Sequence, residues 1–234
     1  MSVQLEPVAI LRSPYKQKFA IPRQPNLVRE AIGEIVFAPA YADVNVLRGI
    51  EGFSHLWLLF LFHETAAQGW NPTVTPPRLG GSEKVGVFAS RSTFRPNALG
   101  LSVVEFVDYE QRGRELVLRV RGIDLLDGTP IVDIKPYLPY ADAVPDATGG
   151  YAPDAPVQQL SVEFSDEARE QLTPHLAERP ELERFIVAVL QQDPRPAVHV
   201  RQAQERAYAM FLYELNVRWR VDGMRCIVTA IEMV

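Results

Sequence analysis

Five segments between apolar runs hold side chains suited to chemistry. Ser90 to Ser102 places Arg91 and Arg95 around Ser92, Thr93 and Asn97, a donor-rich set that suits a carboxylate or phosphate; burial of both guanidiniums in salt bridges is the alternative. Asp124 and Asp127, three apart ahead of Gly128, either offer carboxylates to a ligand or close Asx turns, and the chain then continues into Asp133-Ile134-Lys135-Pro136-Tyr137. Ser13 to Pro25 interleaves Lys16, Lys18 and Arg23 with Tyr15 and Phe19 between stiffening prolines, which suits contact with bases and phosphates. Within it, Arg23 and Gln24 could instead hydrogen-bond a neighbouring loop. His63-Glu64 ends a long apolar run, where a lone histidine can be structural or a ligand. Pro76-Pro77-Arg78-Leu79-Gly80-Gly81 is the fifth segment.

Many enzyme classes lose ground at once. The chain has no G-x-G-x-x-G between a strand and a helix, no P-loop, no H-E-x-x-H and no G-x-S-x-G. A single cysteine, Cys226, makes neither an internal disulfide nor a cysteine-only zinc site, so no metal is expected and the cytoplasm is the default address. The longest apolar run, Leu56 to Phe62, is far below the roughly 20 residues of a membrane span.

The elements that must position these segments read as mainly β. Short runs at Pro7–Arg12, Gly33–Phe37, Phe53–His63, Val85–Ser90, Leu101–Tyr109, Glu115–Arg121 and Pro130–Ile134 predict seven antiparallel strands closed as a single-sheet barrel. Leu56 to Phe62 does not alternate, so that strand should be covered on both faces, which hints at a dimer. Residues 1–137 form the expected first domain, 138–156 an irregular connection rich in Pro, Ala, Asp and Gly, and 157–234 a small α+β domain. In that domain Val157–Phe164 reads as a strand and Ser165 caps a helix. A second helix starting at Pro180 buries Leu182, Phe185, Ile186, Val189 and Leu190, and a strand alternates Leu215, Val217, Trp219 and Val221 with Asn216, Arg218 and Arg220.

The net charge of −5 speaks against a nucleic-acid partner until its distribution is counted. Residues 1–104 carry +3, 105–190 carry −9 and 191–234 carry +1, and Arg12 to Arg29 contains no acid. A positive surface is therefore available to an acidic chain.

In their order along the chain, the motifs Ser13-Pro14-Tyr15-Lys16 with Phe19 to Pro25, Arg48 to Trp57, Pro76 to Gly81, Gly86 to Asn97, Asp127 to Tyr137, Gln192 to Ala197 and Asn216 to Arg220 resemble the bacterial tRNA (adenine(37)-N6)-methyltransferase family. The resemblance spans essentially the whole chain. It implies an S-adenosylmethionine-binding single-sheet β-barrel followed by a small α+β domain, working as a homodimer with the site near the subunit interface. It also implies methylation of N6 of threonylcarbamoyladenosine beside the anticodon of threonine tRNA. Carried over by position, Arg23, Gln24, Pro25, His63, Glu64, Arg91, Leu101 and the Asp124-Leu125-Leu126-Asp127 turn border the cofactor. Ala98 stands where many relatives have proline, which implies a less rigid backbone there.

The residues suit such a donor. Asp124, Asp127 or Glu64 can accept from ribose and amino groups, and Arg91 can donate to a carboxylate. Asp133, Lys135 and Tyr137 are expected to shape the target pocket, with Tyr137 stacking on the base and Lys135 pairing with the threonyl carboxylate. Lys16, Lys18, Arg95, Arg195, Arg218 and Arg220 are expected to meet tRNA. A barrel that binds RNA and the small molecule without catalysis, and a methyltransferase for another nucleoside or small molecule, are the competing readings.

Overall fold

The structure, a computed structural model, describes residues 3–80, 82–157, 160–196, 199–200 and 206–234. Gly81 and Ala197 of the motifs lie outside the described residues, as do residues 158–159 of the strand expected over Val157–Phe164. The strands are β1 (Ala9–Arg12), β2 (Ile32–Phe37), β3 (His55–Leu61), β4 (Thr73–Val74), β5 (Val85–Gly86), β6 (Leu99–Arg112), β7 (Glu115–Arg121), β8 (Pro130–Pro136), β9 (Ser161–Phe164), β10 (Ala207–Leu212), β11 (Leu215–Asp222) and β12 (Arg225–Met233). The α-helices are α1 (His63–Ala66), α2 (Pro139–Asp142), α3 (Asp166–Leu172) and α4 (Leu182–Gln191).

Six of the seven expected strands pair in the order β1-β2-β7-β6-β3-β8, and β8 returns to β1 to close the barrel. The seventh, Val85–Ser90, is corrected. Only Val85 and Gly86 extend, and they pair with β4 outside the barrel. Residues 87–89 instead make a tight turn in which the Ser90 N–H and Oγ both reach the Val87 carbonyl, with Val87 buried and Phe88 exposed. A single anchoring valine cannot hold a strand that lacks a long partner.

β3 has one core face and one face that this chain leaves partly open. Leu56, Leu58 and Phe60 point into the core, while His55, Trp57, Leu59 and Leu61 are half-buried on the other face. The continuous buried run lies in β7, at Leu116-Val117-Leu118.

The chain divides into two compact units that do not follow sequence order. Unit 1 comprises Met1–Arg12, Gly33–Arg121 and Gly128–Ala155; unit 2 comprises Ser13–Ile32, Gly122–Asp127 and Pro156–Val234. Two segments expected in the first domain thus belong to unit 2, and the packing explains why. Tyr15 is fully buried against Phe185 of α4, and its backbone bridges Leu212 of β10.

Unit 2 is built on a sheet of order β10-β11-β12-β9, with β9 parallel to β12. Ser165 Oγ accepts the Ala168 N–H at 3.1 Å and so caps α3 as expected. Helix α4 begins two residues after Pro180 and buries all five expected apolar side chains together with Ala188. Along β11 buried and outward positions alternate, with Arg218 and Arg220 exposed.

Candidate functional site

The predicted site residues divide between the two units. In unit 1, β3 ends beside the start of β6, with Leu61 opposite Leu99. The Phe62 N–H donates to the Ala98 carbonyl at 2.8 Å, so α1, carrying His63 and Glu64, opens next to the 90–98 loop. His63 Nε2 lies 3.6 Å from Glu64 Oε1, and the Glu64 side chain is 70% exposed.

Arg91 and Arg95 do not both face outward. Arg91 is exposed, whereas Arg95 Nη1 donates to the Ser90 and Ser92 carbonyls at 3.3 and 3.4 Å and fastens its own loop. Ala98 adopts φ 49°, and its N–H donates to the Arg95 carbonyl at 3.0 Å. Proline could neither adopt that angle nor make that bond, so a hydrogen bond ties the backbone that the departure at Ala98 was expected to leave less rigid.

The register of three strands aligns the remaining predicted residues of this unit. Leu101, Leu59 and Asp133 form one cross-strand row; Val103, Trp57 and Lys135 form the next. One step on, the Tyr137 N–H donates to the His55 carbonyl at 2.9 Å. Side chains two apart in an extended chain share a face, so Asp133 and Lys135 stand together on the outer face of β8, and Tyr137 follows just past its end. Lys135 Nζ lies 3.4 Å from Asp133 Oδ2, and Asp133 Oδ1 accepts the Ile134 N–H at 2.9 Å.

Sequence reasoning missed the frame around Tyr137. Its ring tilts against Trp57 at 5.7 Å and meets His55 edge-on at 6.3 Å. Trp57 Nε1 and the Leu138 N–H both donate to Asp142 Oδ2, at 3.0 and 2.8 Å. The signal available was the two-residue spacing of His55 and Trp57 on the strand beside β8.

In unit 2 the 122–127 segment is held by the N-terminal loop. Asn26 N–H donates to the Gly122 carbonyl and Gly122 N–H to Ala31, each at 2.8 Å. Gly122 has φ 76°, and a Cβ there would fall 2.3 Å from Asn26 Oδ1. Asp127 joins this segment to the N-terminal loop: Oδ1 accepts the Ser13 N–H at 2.8 Å and Oδ2 meets Lys16 Nζ at 2.7 Å. Ser13 Oγ donates to the Leu125 carbonyl at 2.7 Å, and Leu125 itself is buried. Arg23 is exposed, while Gln24, Pro25, Asp124 and Leu126 are half-buried. Burial holds the Tyr15 phenol well above its usual value, helped by Tyr213 and Asp124, so it stays protonated and serves the core.

The basic residues are less available than their sequence suggests. Arg195 forms a two-bond fork on Asp193, 2.7 Å for each bond, with only 12% of its side chain exposed. Arg218 pairs with Glu232 at 3.0 Å. Lys18 is exposed and sits over the Phe19 ring. Cys226 is fully buried, and burial pushes its thiol up to about 12, so it is not a nucleophile. Among the described residues no group of three His, Cys, Asp or Glu side chains could hold a metal ion, and no helix is long and apolar enough to cross a membrane.

Each half of the chain matches a family model. Residues 10–143 match the tRNA-methyltransferase O N-terminal domain and 157–234 match the TrmO C-terminal domain. A tRNA (adenine(37)-N6)-methyltransferase of Escherichia coli is 48% identical over 231 residues, covering 99% of this chain and 98% of the relative. One of Eikenella corrodens is 43% identical over 182 residues, covering 78% of this chain and 98% of the relative. A crystal structure of TrmO from Pseudomonas aeruginosa superposes with a TM-score of 0.81 at 38% identity, covering 99% of both chains. With both of its domains matched and full-length relatives on either measure, the chain belongs to the tRNA-methyltransferase O family.

Proposed function

We propose that this protein transfers a methyl group from S-adenosylmethionine to N6 of adenosine 37 in tRNA, and more narrowly to threonylcarbamoyladenosine in threonine tRNA. The observation that carries this reading is the 48% identity to the Escherichia coli tRNA (adenine(37)-N6)-methyltransferase across 99% of the chain. When bound, S-adenosylmethionine would supply the electrophilic methyl group. The donor set of unit 1 fits it: Glu64 offers an exposed acceptor for ribose hydroxyls, Arg91 a guanidinium for its carboxylate, and Leu101, 52% exposed, an apolar surface for its adenine. Arg23, Gln24, Pro25, Asp124 and Leu126 take their cofactor assignment from the family resemblance, whereas Leu125 and Asp127 shape the turn that carries Asp124.

On the acceptor side, Asp133 takes a hydrogen bond from the adenine amine, Tyr137 stacks on the base and Lys135 pairs with the threonyl carboxylate. Positioning supplies most of the rate in such a transfer. Lys135 must exchange Asp133 for the substrate, and the exchange is cheap because both side chains are about half exposed or more and such surface pairs are worth about 0–1 kcal/mol. A Lys135→Ala enzyme should lose roughly ten- to a hundredfold in kcat/KM on modified tRNA, as for a hydrogen bond to a charged group. Undiminished turnover would sink the carboxylate role.

The half-buried apolar row Trp57, Leu59, Leu61, with Leu99, Leu101 and Val103 opposite, supports pairing of two copies in the cytoplasm through this face. Lys16, Lys18, Arg218 and Arg220 are assigned to tRNA phosphates, Arg95 to shaping its loop and Arg195 to holding its own. The direct test is labelled S-adenosylmethionine with total tRNA from a strain lacking this protein. Label in tRNA supports the transfer; cofactor binding without transfer would favour a non-catalytic RNA-binding barrel.

A further inference from the structure

Unit 2 contains an aromatic pocket that none of the preceding roles uses. It has a volume of about 140 Å³ and is lined by Phe19, Pro194, Pro196, His199, Tyr208 and Trp219, among others. Tyr208 and Trp219, cross-strand partners on β10 and β11, stack at 4.6 Å and 21°. The fork of Arg195 on Asp193 brackets Pro194 and so fixes the proline wall.

Two buried nitrogens here have no partner among the described residues: Trp219 Nε1, on a residue only 3% exposed, and His199 Nδ1. Arg206 Nη1 lies 3.1 Å from His199 Nε2. A guanidinium only donates, so Nε2 accepts and Nδ1 of the neutral ring carries the hydrogen. The pocket is thus lined by two residues that each hold a buried N–H donor without a partner, and such donors are rare in native proteins.

A ligand that satisfies it is flat and carries hydrogen-bond acceptors on its edge. The volume is well below the roughly 300–1,000 Å³ of a pocket for a drug-sized ligand, hence one heteroaromatic ring and not a whole nucleotide. At the rim Phe19 is 56% exposed with Lys18 Nζ 5.3 Å from its ring centre, and Arg206 lies beside His199, so cations flank the opening where a phosphodiester would run. Aromatic walls, edge donors and flanking cations are how proteins hold unstacked bases of single-stranded RNA.

We propose that this pocket binds an unstacked pyrimidine of the RNA substrate, its ring against Tyr208, Trp219 and Phe19 and its carbonyl edge on Trp219 Nε1 and His199 Nδ1. The substrate being tRNA rests on the function proposed above; the pocket's chemistry does not.

The test follows the indole N–H resonances of the full-length protein, with the Trp219 signal assigned through Trp57→Phe and Trp70→Phe, since the chain has three tryptophans. The probes are oligouridylate, oligoadenylate and an anticodon stem-loop RNA. Oligouridylate and the stem-loop should move the Trp219 resonance, and Phe19→Ala and His199→Phe should each weaken binding about tenfold, as expected on losing one stacking or edge contact to a base. A stem-loop that is methylated without moving that resonance would overturn the pocket and leave the methyltransferase reading standing. Movement by oligouridylate while tRNA is neither bound nor methylated would uphold the pocket and overturn the tRNA reading. Equal response to oligoadenylate would overturn the choice of a pyrimidine.

Discussion

Arg195→Ala should destabilise the protein through Asp193, whatever it does to tRNA. The two side chains are 12% and 10% exposed and joined by two bonds of 2.7 Å. Removing one partner of such a buried pair leaves an uncompensated carboxylate, which costs about 3–5 kcal/mol. For a chain of this length each kcal/mol lowers Tm by roughly 2–4 °C, so the drop should be roughly 6–20 °C. Scanning calorimetry reads it directly. The Asp193→Ala, Arg195→Ala double variant should melt above the single Arg195→Ala variant, because no buried charge is then stranded. An Arg195→Ala protein melting within about 2 °C of the parent, yet weaker on tRNA, would refute the structural role and restore Arg195 as an RNA contact.

Gly100 lies under the Phe60 ring, where a Cβ would fall 2.2 Å from Phe60 Cζ, so Gly100→Ala should cost about 1–3 kcal/mol; an unchanged melting curve would contradict that packing. Acid should destabilise the fold. The carboxyl of Asp43 is held below its usual range by the Asn45 N–H, that of Glu115 by Arg12 and that of Glu163 by Arg225. For Glu214, burial pushes the carboxyl up, but its bonds to Arg179 and the backbone outweigh this and hold it low. Carboxyls depressed in the folded state contribute stability that is complete above the unfolded value of about 4.3 and is lost as pH falls through the folded values. Tm should therefore fall below about pH 4.5, and a rise on acidification would contradict these pairings. Despite the net charge of −5, tRNA affinity should weaken between about 50 and 200 mM salt, and a flat salt dependence would exclude the assigned phosphate contacts.

The barrel was largely legible because its strands announce themselves by composition and by the Gly and Pro clusters between them. Val85–Ser90 misled because a run of that composition reads alike as a strand or as a turn with one anchored valine; the difference is the partner strand, which lies elsewhere in the chain. The interleaved units were illegible for a similar reason. Tyr15 sits in a basic, proline-rich segment that reads as an RNA contact, yet its ring is core because α4 and β10 meet there. Residue types also could not reveal which cations are already engaged. Arg195 and Arg95 look alike on paper, but one holds a buried carboxylate and the other its own loop's carbonyls. The alignment of Asp133 and Lys135 on one face was readable from their spacing; the aromatic frame of Trp57 and His55 required the register of β3 on β8.

The central claim is tested most directly by mass spectrometry of threonine tRNA incubated with this protein and isotopically labelled S-adenosylmethionine. A labelled methyl group on N6 of threonylcarbamoyladenosine at position 37 is the predicted result. Label on any other nucleoside, or none despite bound cofactor, would contradict it.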